Sequence, residues 1–289
     1  MRRASAAFPR AVRFVIALCA ACPSLWAQDA PARVGDWRPI FRGIDYVELR
    51  ATAPRPMRGH AVRIDLTAPG VEFLATPSNG ERPGETDSLK TSSFLARHKC
   101  QVAINAAPFA PVVEEEGKPQ DVRGLMVSQG DVVSQAESFP ALLITRDNKA
   151  TIADPPFHLD GVLNAVGGFS IVLKGGAIVE AKAPLHPRTA AGVSKDGRCL
   201  YLLAIDGRQP GFSEGATTAE VGAWLKSLGA WDGINLDGGG TTAMVIEDSE
   251  GKPRVLNRPI HGGKPGSERA AASHLGVKAQ RLPRGPAQP

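Results

Sequence analysis

The stretch TTAEVGAWLKSLGAWDGINLDGGGTTAM, residues 217–244, decides the fold. Thr217 and Glu220 form a capping box, which marks the start of an α-helix, and Gly229 is the residue type that commonly ends one. The apolar residues between them repeat at helical spacing and are Val221, Trp224, Leu225 and Leu228. Residues 233–237 then form a buried strand that ends in a carboxylate and three glycines. The order of these signals along the chain predicts a helix, a strand and a glycine-rich loop in direct succession.

Most of the remaining chain consists of apolar runs separated by short polar turns, which is the pattern of β-hairpins. The paired runs are residues 124–128 with 132–133, 142–145 with 150–152, 170–173 with 177–179, and 191–193 with 199–205. A run at 62–66 reaches a turn and returns at 71–75, and residues 91–98 are predicted as a short helix. The pattern predicts an α+β fold, with a mixed β-sheet core built from many hairpins and a few flanking helices.

The first 27 residues have the features of a secretory signal. Four arginines precede an apolar run at residues 14–22, and a small residue, Ala27, offers a cleavage site. We therefore expect a periplasmic or secreted protein without a stable membrane span after cleavage; an uncleaved anchor and a lipidated signal ending at Cys22 are the alternatives. The predicted organisation beyond residue 27 is a lead-in at 28–59 with an edge strand, a domain at 60–278 and a flexible tail at 279–289.

Charge and cysteine content argue against a nucleic-acid-binding protein and against a zinc site. The formal charge is +5, but the signal holds four of the 34 basic side chains and no acid, so the rest of the chain is nearly neutral. Nothing in it indicates a nucleic-acid-binding surface. Cys100 and Cys199 remain after the signal; they either form a disulfide in an oxidising compartment or are two buried thiols. Beyond the predicted signal there is no Cys-x-x-Cys pair, which argues against a zinc site.

The glycine-rich segment carries the strongest chemical signal. Consecutive glycines cost backbone entropy on folding, so Gly238, Gly239 and Gly240 indicate a loop whose N–H groups approach an anion closely. A flexible hairpin tip is the structural alternative. Asp237 precedes these glycines and Thr241 follows them. The segment thus combines a carboxylate, backbone donors and a hydroxyl.

Other polar residues come at predicted strand ends, where loops carry function on a rigid scaffold. Arg188 precedes a strand, and a guanidinium can bind two phosphate oxygens at once. Asp206 and Asn105 each follow a strand, and Arg258 lies in an Asn-Arg-Pro segment near the end of the domain. Each residue alone is typical of a turn or a surface, whereas together they indicate a common site.

These segments, in this order, resemble the phosphodiester glycosidase family, whose bacterial members are associated with exopolysaccharide. The matching segments are Asn105-Ala-Ala-Pro-Phe109, Gly167-Gly168, Arg188-Thr-Ala-Ala-Gly192, Asp206-Gly-Arg-Gln-Pro-Gly211, Asn235-Leu-Asp-Gly-Gly-Gly-Thr-Thr242 and Asn257-Arg-Pro259. The likeness runs over residues 60–277. The chain departs from the family's pattern at two places, Ala-Ala-Pro after Asn105 and Phe169-Ser170 after the double glycine. Both changes affect the expected sugar-binding pocket, so the resemblance does not identify the sugar.

The resemblance implies an exported hydrolase that cleaves the glycosidic bond of sugar-1-phosphodiesters in envelope or exopolysaccharide glycans. Asp237 and Asp206 are then the candidate catalytic carboxylates, as paired carboxylates are in other glycosidases. The candidate binding groups are Arg188, Arg258, the N–H groups of Gly238, Gly239 and Gly240, the Thr241 hydroxyl, and Asn105 and Asn235, which would orient sugar hydroxyls or the carboxylates.

Three alternatives stay open at this point. The first is a non-catalytic polysaccharide-binding protein of the cell envelope, and the second is a hydrolase of ordinary glycosides. The third concerns cofactors: none is expected, but Asp237 and Asp206 with nearby carbonyls would suit calcium. His186 and His261 would serve as metal ligands or proton carriers, or occupy surface turns. The expected partner is a sugar phosphate or glycan, not a nucleic acid.

Overall fold

The structure is a computed structural model that describes residues 33–179 and 184–283. The predicted signal, residues 1–27, and the last six residues of the predicted tail lie outside the described residues. Within the described ranges, no helix is long and apolar enough to span a membrane.

The structure confirms a fold of many strands and few helices. In chain order the elements are β1 (Arg33–Val34), β2 (Arg38–Phe41), β3 (Ile44–Ala51), β4 (Met57–Asp65), β5 (Glu72–Ala75), β6 (Thr86–Asp87), α1 (Thr91–His98), β7 (Val102–Asn105), β8 (Phe109–Ala110), β9 (Pro119–Val122), β10 (Met126–Ser128), β11 (Asp131–Ser134), β12 (Ala141–Thr145), β13 (Ala150–Ala153), β14 (Val162–Gly167), β15 (Ser170–Lys174), β16 (Ala177–Ile178), β17 (Arg188–Ser194), β18 (Cys199–Ile205), α2 (Thr218–Leu228), β19 (Ala230–Asn235), β20 (Met244–Glu247), β21 (Pro253–Val255), β22 (Ile260–His261), β23 (Lys264–Pro265) and β24 (His274–Lys278).

Three large sheets contain most of these strands. The nine-stranded sheet has the order β1-β3-β4-β18-β17-β19-β15-β16, with β2 paired to β3. One five-stranded sheet has the order β11-β10-β14-β12-β13, and the other has the order β21-β20-β7-β24-β5. The small sheets β6-β9-β8 and β22-β23 complete the architecture.

Alternate residues of one strand enter different cores, as the two-residue period of a β-strand requires. Leu202 of β18 packs into the cluster shared by the three large sheets, together with residues such as Ile104 and Leu142. Its neighbour Leu203 faces the other side, where Trp224 and Leu225 of α2 cover the nine-stranded sheet. The sheet is therefore buried on both faces, and its strand ends are held rigidly.

Helix α2 has the ends that the sequence predicts. The Thr217 hydroxyl accepts a hydrogen bond from the Glu220 N–H, and the Glu220 carboxylate accepts one from the Thr217 N–H, which completes the capping box. Gly229 ends the helix in the left-handed conformation, with φ of 109°, where a residue without Cβ is favoured. Helix α1 also has the predicted bounds.

One pairing differs from the sequence-based expectation. The runs at 62–66 and 71–75 do not form a hairpin, because β4 pairs with β3 and β18 whereas β5 pairs with β24 in another sheet. The stretch 37–49 contains an edge strand, β2, which pairs with β3 alone among the described strands, and also most of the interior strand β3, which pairs with β4 along eight residues. Alternation predicts that a run is a strand, but the partner is chosen by the packing of distant segments.

The two cysteines in the described part of the chain are free thiols. Cys100 packs beneath α1 with Phe94 and Leu95, and burial raises the pKa of its thiol to about 11. Cys199 lies on β18 and packs against the cluster under α2. The two residues thus belong to different cores and do not pair. Cys100 is buried, as the alternative of two buried thiols predicts, whereas Cys199 is only half-buried.

Candidate active site

The nine-stranded sheet brings three of the predicted site residues to one edge. Strands β18 and β19 both pair with β17 in the antiparallel sense, so they run parallel to each other and end at the same edge. Asp206 follows β18 directly, Asp237 follows β19 after one residue, and Arg188 begins β17 between them. The two aspartates therefore leave the sheet about two strand spacings, roughly 10 Å, apart.

The glycine-rich loop is an ordered structure packed against the chain at Pro187. Gly238 lies so close that a Cβ there would be 2.6 Å from the Pro187 carbonyl oxygen. Gly239 has φ of 66°, the left-handed region that favours glycine, and its N–H donates to the same carbonyl at 2.9 Å. Residues 239–241 form one 3-10 turn. A side chain at Gly238 would push the loop away from the sheet edge, and the left-handed backbone at Gly239 favours glycine. Two of the three glycines therefore have a local structural reason.

Asn105 holds this loop to the ends of two sheets. Its side-chain N–H donates to the Asp237 carbonyl at 2.7 Å. Its Oδ1 accepts from the Thr189 hydroxyl at 2.7 Å and from the Ala243 N–H at 3.1 Å. The side chain is fully buried, and its amide oxygen and nitrogen both have protein partners. Asn105 is thus placed to position the Asp237 segment rather than to face a sugar.

Asp237 presents a buried carboxylate at the start of the loop. Its Oδ2 accepts a hydrogen bond from the Thr241 hydroxyl at 2.5 Å, and the nearest Arg269 nitrogen is 3.7 Å away. Burial raises the pKa of the Asp237 carboxyl to about 6, against the lowering effects of the Thr241 hydrogen bond and the Arg269 charge. A carboxyl that titrates near neutral pH is suited to accept or donate a proton.

Two guanidinium groups approach this loop, and a third lies at the adjoining sheet edge. A Cβ at Gly239 would lie 3.1 Å from an Arg208 nitrogen, and one at Gly240 would lie 3.3 Å from an Arg269 nitrogen. Arg188 supports the arrangement from the sheet edge, where its Nε donates to the Ala216 carbonyl at 2.9 Å. Burial lowers the pKa of Arg188 and Arg269, but a guanidinium keeps its charge in proteins. The loop is therefore a cationic site.

Two features indicate that this site is built to receive a ligand. The Nε of Arg269 is buried and has no hydrogen-bond partner within the described residues, although buried donors are normally paired. The Oδ1 of Asn235, which is also buried, has no partner there either. Arg208 has φ of 57°, the left-handed region that non-glycine residues rarely adopt. Such strain occurs often at functional positions.

Two histidines lie beside the same loop. The ring of His186 contacts Arg208 at 3.2 Å, and its pKa is lowered by burial and by the Arg208 and Arg188 charges. His261 lies on the β22–β23 hairpin; its Nδ1 would be 3.3 Å from a Cβ at Gly240. The other ring nitrogen of His261 contacts the Glu114 carboxylate at 2.7 Å. A His–Glu pair with one nitrogen directed at a site is a typical arrangement for proton transfer.

Asp206 and Arg258 face a different direction from Asp237. The Asp206 Oδ1 accepts from the Asn257 side chain at 3.1 Å and from the Arg258 N–H at 2.8 Å. Burial raises the pKa of the Asp206 carboxyl, although these hydrogen bonds act in the opposite sense. The Arg258 guanidinium lies over the Phe212 ring, 4.9 Å from its centroid. The structure thus groups Asp237, Thr241 and Arg188 at the loop, and Asp206 and Arg258 beside it.

The residues predicted from the sequence do not include two of the loop's three arginines. Arg208 stands inside the Asp206-Gly-Arg segment, but the motif alone assigns no role to its side chain. Arg269 stands in a Ser-Glu-Arg segment with no local signal. His261 is one of the two histidines for which the sequence left a proton-carrying role open. Among the described residues, no three His, Cys, Asp or Glu side chains form a group that could hold a metal ion.

Comparisons with known proteins agree with the resemblance. The family model for phosphodiester glycosidase matches residues 98–278. The catalytic domain of zebrafish N-acetylglucosamine-1-phosphodiester alpha-N-acetylglucosaminidase, auto-inhibited by its pro-peptide, is 20% identical; the match covers 84% of this chain and 85% of that one with a TM-score of 0.63. No curated protein sequence matches the chain.

Two further solved structures share the fold. A protein of Burkholderia pseudomallei described as exported is 17% identical, with 79% of this chain and 75% of that one covered and a TM-score of 0.59. A hypothetical protein from Synechocystis is 15% identical, with 85% and 64% covered and a TM-score of 0.58. At these identities the likeness extends to the fold alone.

Proposed function

The chain belongs to the phosphodiester glycosidase family, and on that basis we propose that it hydrolyses the bond between a sugar anomeric carbon and a phosphodiester. The zebrafish enzyme of the same fold is described as acting on N-acetylglucosamine-1-phosphodiester. The substrate class proposed for this chain is a sugar-1-phosphodiester of envelope or exopolysaccharide glycans, reached by export to the periplasm or beyond.

One observation carries the proposal: a single buried carboxyl, Asp237, lies at a loop that Arg208 and Arg269 approach closely, with Arg188 at the adjoining sheet edge. Three guanidiniums suit an anion better than a neutral sugar, because they donate charge-assisted hydrogen bonds to phosphate oxygens. The Nη nitrogens of Arg208 and Arg269 are the donors that approach the loop. A glycosidase for ordinary, uncharged glycosides would not need this excess of positive charge.

The chemistry of the leaving group fits the same residues. A water molecule attacks the anomeric carbon, the carbon–oxygen bond breaks, and the electron pair leaves with the phosphate oxygen. A phosphate monoester has its second pKa at about 6, so it departs without a strong acid. The arginines stabilise the negative charge that develops on the phosphate. The protein then has to place the water and remove one proton from it.

Two groups are placed to take that proton. Asp237 is ionised above a pH of about 6 because burial raises its pKa to that value, and the Thr241 hydrogen bond fixes its orientation. His261 lies beside Gly240 of the loop, and its other ring nitrogen contacts Glu114. In this proposal Asp237 is the base that activates water, and His261 relays a proton between the site and solvent.

Hydrolysis of a sugar-1-phosphodiester tests the proposal directly. The chain without its signal, residues 28–289, would be incubated with UDP-N-acetylglucosamine and simpler diesters, and the anomeric proton signals would be followed by NMR. We expect free reducing sugar from the native chain, none from D237N, and normal release from D131N, since Asp131 is exposed on β11. Ligand binding without turnover in all three proteins would support the non-catalytic polysaccharide-binding alternative.

A further inference from the structure

A second polar pocket of about 240 Å³ lies beside the end of β18. Its lining includes Arg50, Arg58, Asp206, Phe212 and Arg258. Neither Asp237 nor any residue of the glycine-rich loop lines it. The pocket is therefore separate from the candidate active site, although both lie near the end of the same strand.

Two guanidinium groups meet at one aromatic ring in this pocket. Arg58 lies 4.4 Å and Arg258 lies 4.9 Å from the centroid of the Phe212 ring. Neither guanidinium has a carboxylate partner within the described residues. Like charges held on one ring repel each other unless an anion lies between or beside them. The cation–π contacts fix the two arginines in place and leave their N–H groups available.

The two acidic groups of the pocket offset its three arginines only in part. The charges of Arg258 and Arg58 act on Asp206. Glu48 is paired with Arg50 at 3.1 Å. The Asp206 Oδ1 is occupied by Asn257 and a backbone N–H, and the Oδ2 is buried without a partner among the described residues. His60 is neutral at pH 7, because burial lowers its pKa to about 4. The pocket therefore keeps an excess of positive charge.

We infer that this pocket is a second ligand subsite, which binds a sugar unit bearing a carboxylate or phosphate group. The acid group would accept hydrogen bonds from Arg58 and Arg258, because a guanidinium matches both oxyanions in two places at once. The inference goes beyond the proposed hydrolysis, since it assigns a charged unit of the glycan to a place outside the reacting bond.

One asparagine connects this subsite to the active site. Asn257 donates to Asp206 at 3.1 Å and to the Thr242 carbonyl, just after the glycine-rich loop, at 3.0 Å. Its Oδ1 accepts from the Met244 N–H at 2.9 Å. A glycan that crosses the surface would thus contact two linked sites, with the acid unit held at one and the phosphodiester at the other.

Calorimetric titration tests the subsite with three probes of similar size. D-glucuronate and glucose 1-phosphate carry the acid group as carboxylate or phosphate, and glucose carries none. We expect both acids to bind the native chain at least tenfold more tightly than glucose. The double variant R58Q/R258Q should lose at least tenfold in affinity for glucuronate. Glucose 1-phosphate also suits the proposed active site, so it should keep the part of its binding that depends on the loop arginines. R97Q, which removes an exposed charge from α1, is the matched control and should bind as the native chain does.

A parallel variant separates the two cationic sites. R208Q removes a charge from the glycine-rich loop and should leave glucuronate binding intact. Affinity lost in R208Q but kept in R58Q/R258Q would overturn the inference, as would equal affinities for glucuronate and glucose. R58K/R258K keeps the charge but not the forked geometry, so it should bind glucuronate more tightly than R58Q/R258Q and less tightly than the native chain. An unfolded variant would not give this intermediate affinity. Because D237N should bind glucuronate normally, failure of the proposed hydrolysis would leave this result unaffected.

Discussion

Replacing Asp237 with asparagine should abolish hydrolysis and, at the same time, stabilise the fold at neutral pH. In the native chain burial raises the pKa of Asp237 to about 6 from its ordinary value of 3.8. The folded state therefore binds this proton more tightly than the unfolded state does, and the contribution to stability is present below pH 3.8 and lost as the pH rises through 6. Asparagine is neutral at every pH and avoids the loss.

The size of the effect follows from the shift. One pKa unit corresponds to about 1.4 kcal/mol, so the penalty of the ionised carboxylate reaches about 3 kcal/mol at pH 7.5 by linkage. At pH 4.5 the same relation leaves about 1 kcal/mol, because the carboxyl is then protonated in the folded protein. The hydrogen bond from Thr241 at 2.5 Å is weakened in the variant, so these values are upper bounds.

Urea unfolding of the native chain, D237N and D131N at both pH values measures this difference. D237N should exceed the native unfolding free energy at pH 7.5, and the excess should shrink at pH 4.5. D131N should follow the native chain at both pH values, since Asp131 is exposed. Equal stability of D237N and the native chain at pH 7.5, or an excess that grows as the pH falls, would refute the argument that Asp237 is held in a state costly to the fold.

Three other sets of substitutions have distinct signatures. R208Q and R269Q should each lower kcat/KM for a phosphodiester about 10- to 100-fold, because each removes charge-assisted hydrogen bonds; unchanged values would remove these residues from the site. H261Q should lower kcat by about 100-fold with little change in KM, and E114Q should do so more weakly; a change in KM alone would indicate a binding role instead. N105A should reduce the unfolding free energy by roughly 2–4 kcal/mol, because it leaves buried partners unsatisfied, and a smaller loss in thermal or urea unfolding would argue against the loop-holding role.

Much of the local structure was predictable from the sequence because neighbouring residues determine it. The Thr217–Glu220 capping box, the apolar spacing that follows it and the left-handed Gly229 act within a few residues of each other. The polar turns set the hairpins in the same way, since a short turn leaves its two strands little choice of partner. The glycine-rich loop was also predictable, because three successive glycines destabilise a regular helix or strand and favour a loop.

The partners of distant segments were not predictable. The β4 strand pairs with β18, more than a hundred residues away along the chain. The turn between residues 66 and 71 predicted instead that β4 would pair with the run that follows it. The division between Asp237 and Asp206 has the same origin. Both residues follow a strand at one sheet edge. The Asp206 carboxyl accepts hydrogen bonds from the segment at 257–258, whereas Thr241 and Arg269 contact Asp237.

By itself, the sequence determined the elements, the loop and the family to which the chain belongs, because these depend on short-range periodicity and on motifs that are contiguous in the chain. Only the tertiary structure decided which charges share a site. Arg208 and Arg269 meet at the loop because the register of the sheet and the β22–β23 hairpin bring separate segments together. Long-range packing, rather than local propensity, sets the distances between guanidinium and carboxylate groups on which the proposed chemistry depends.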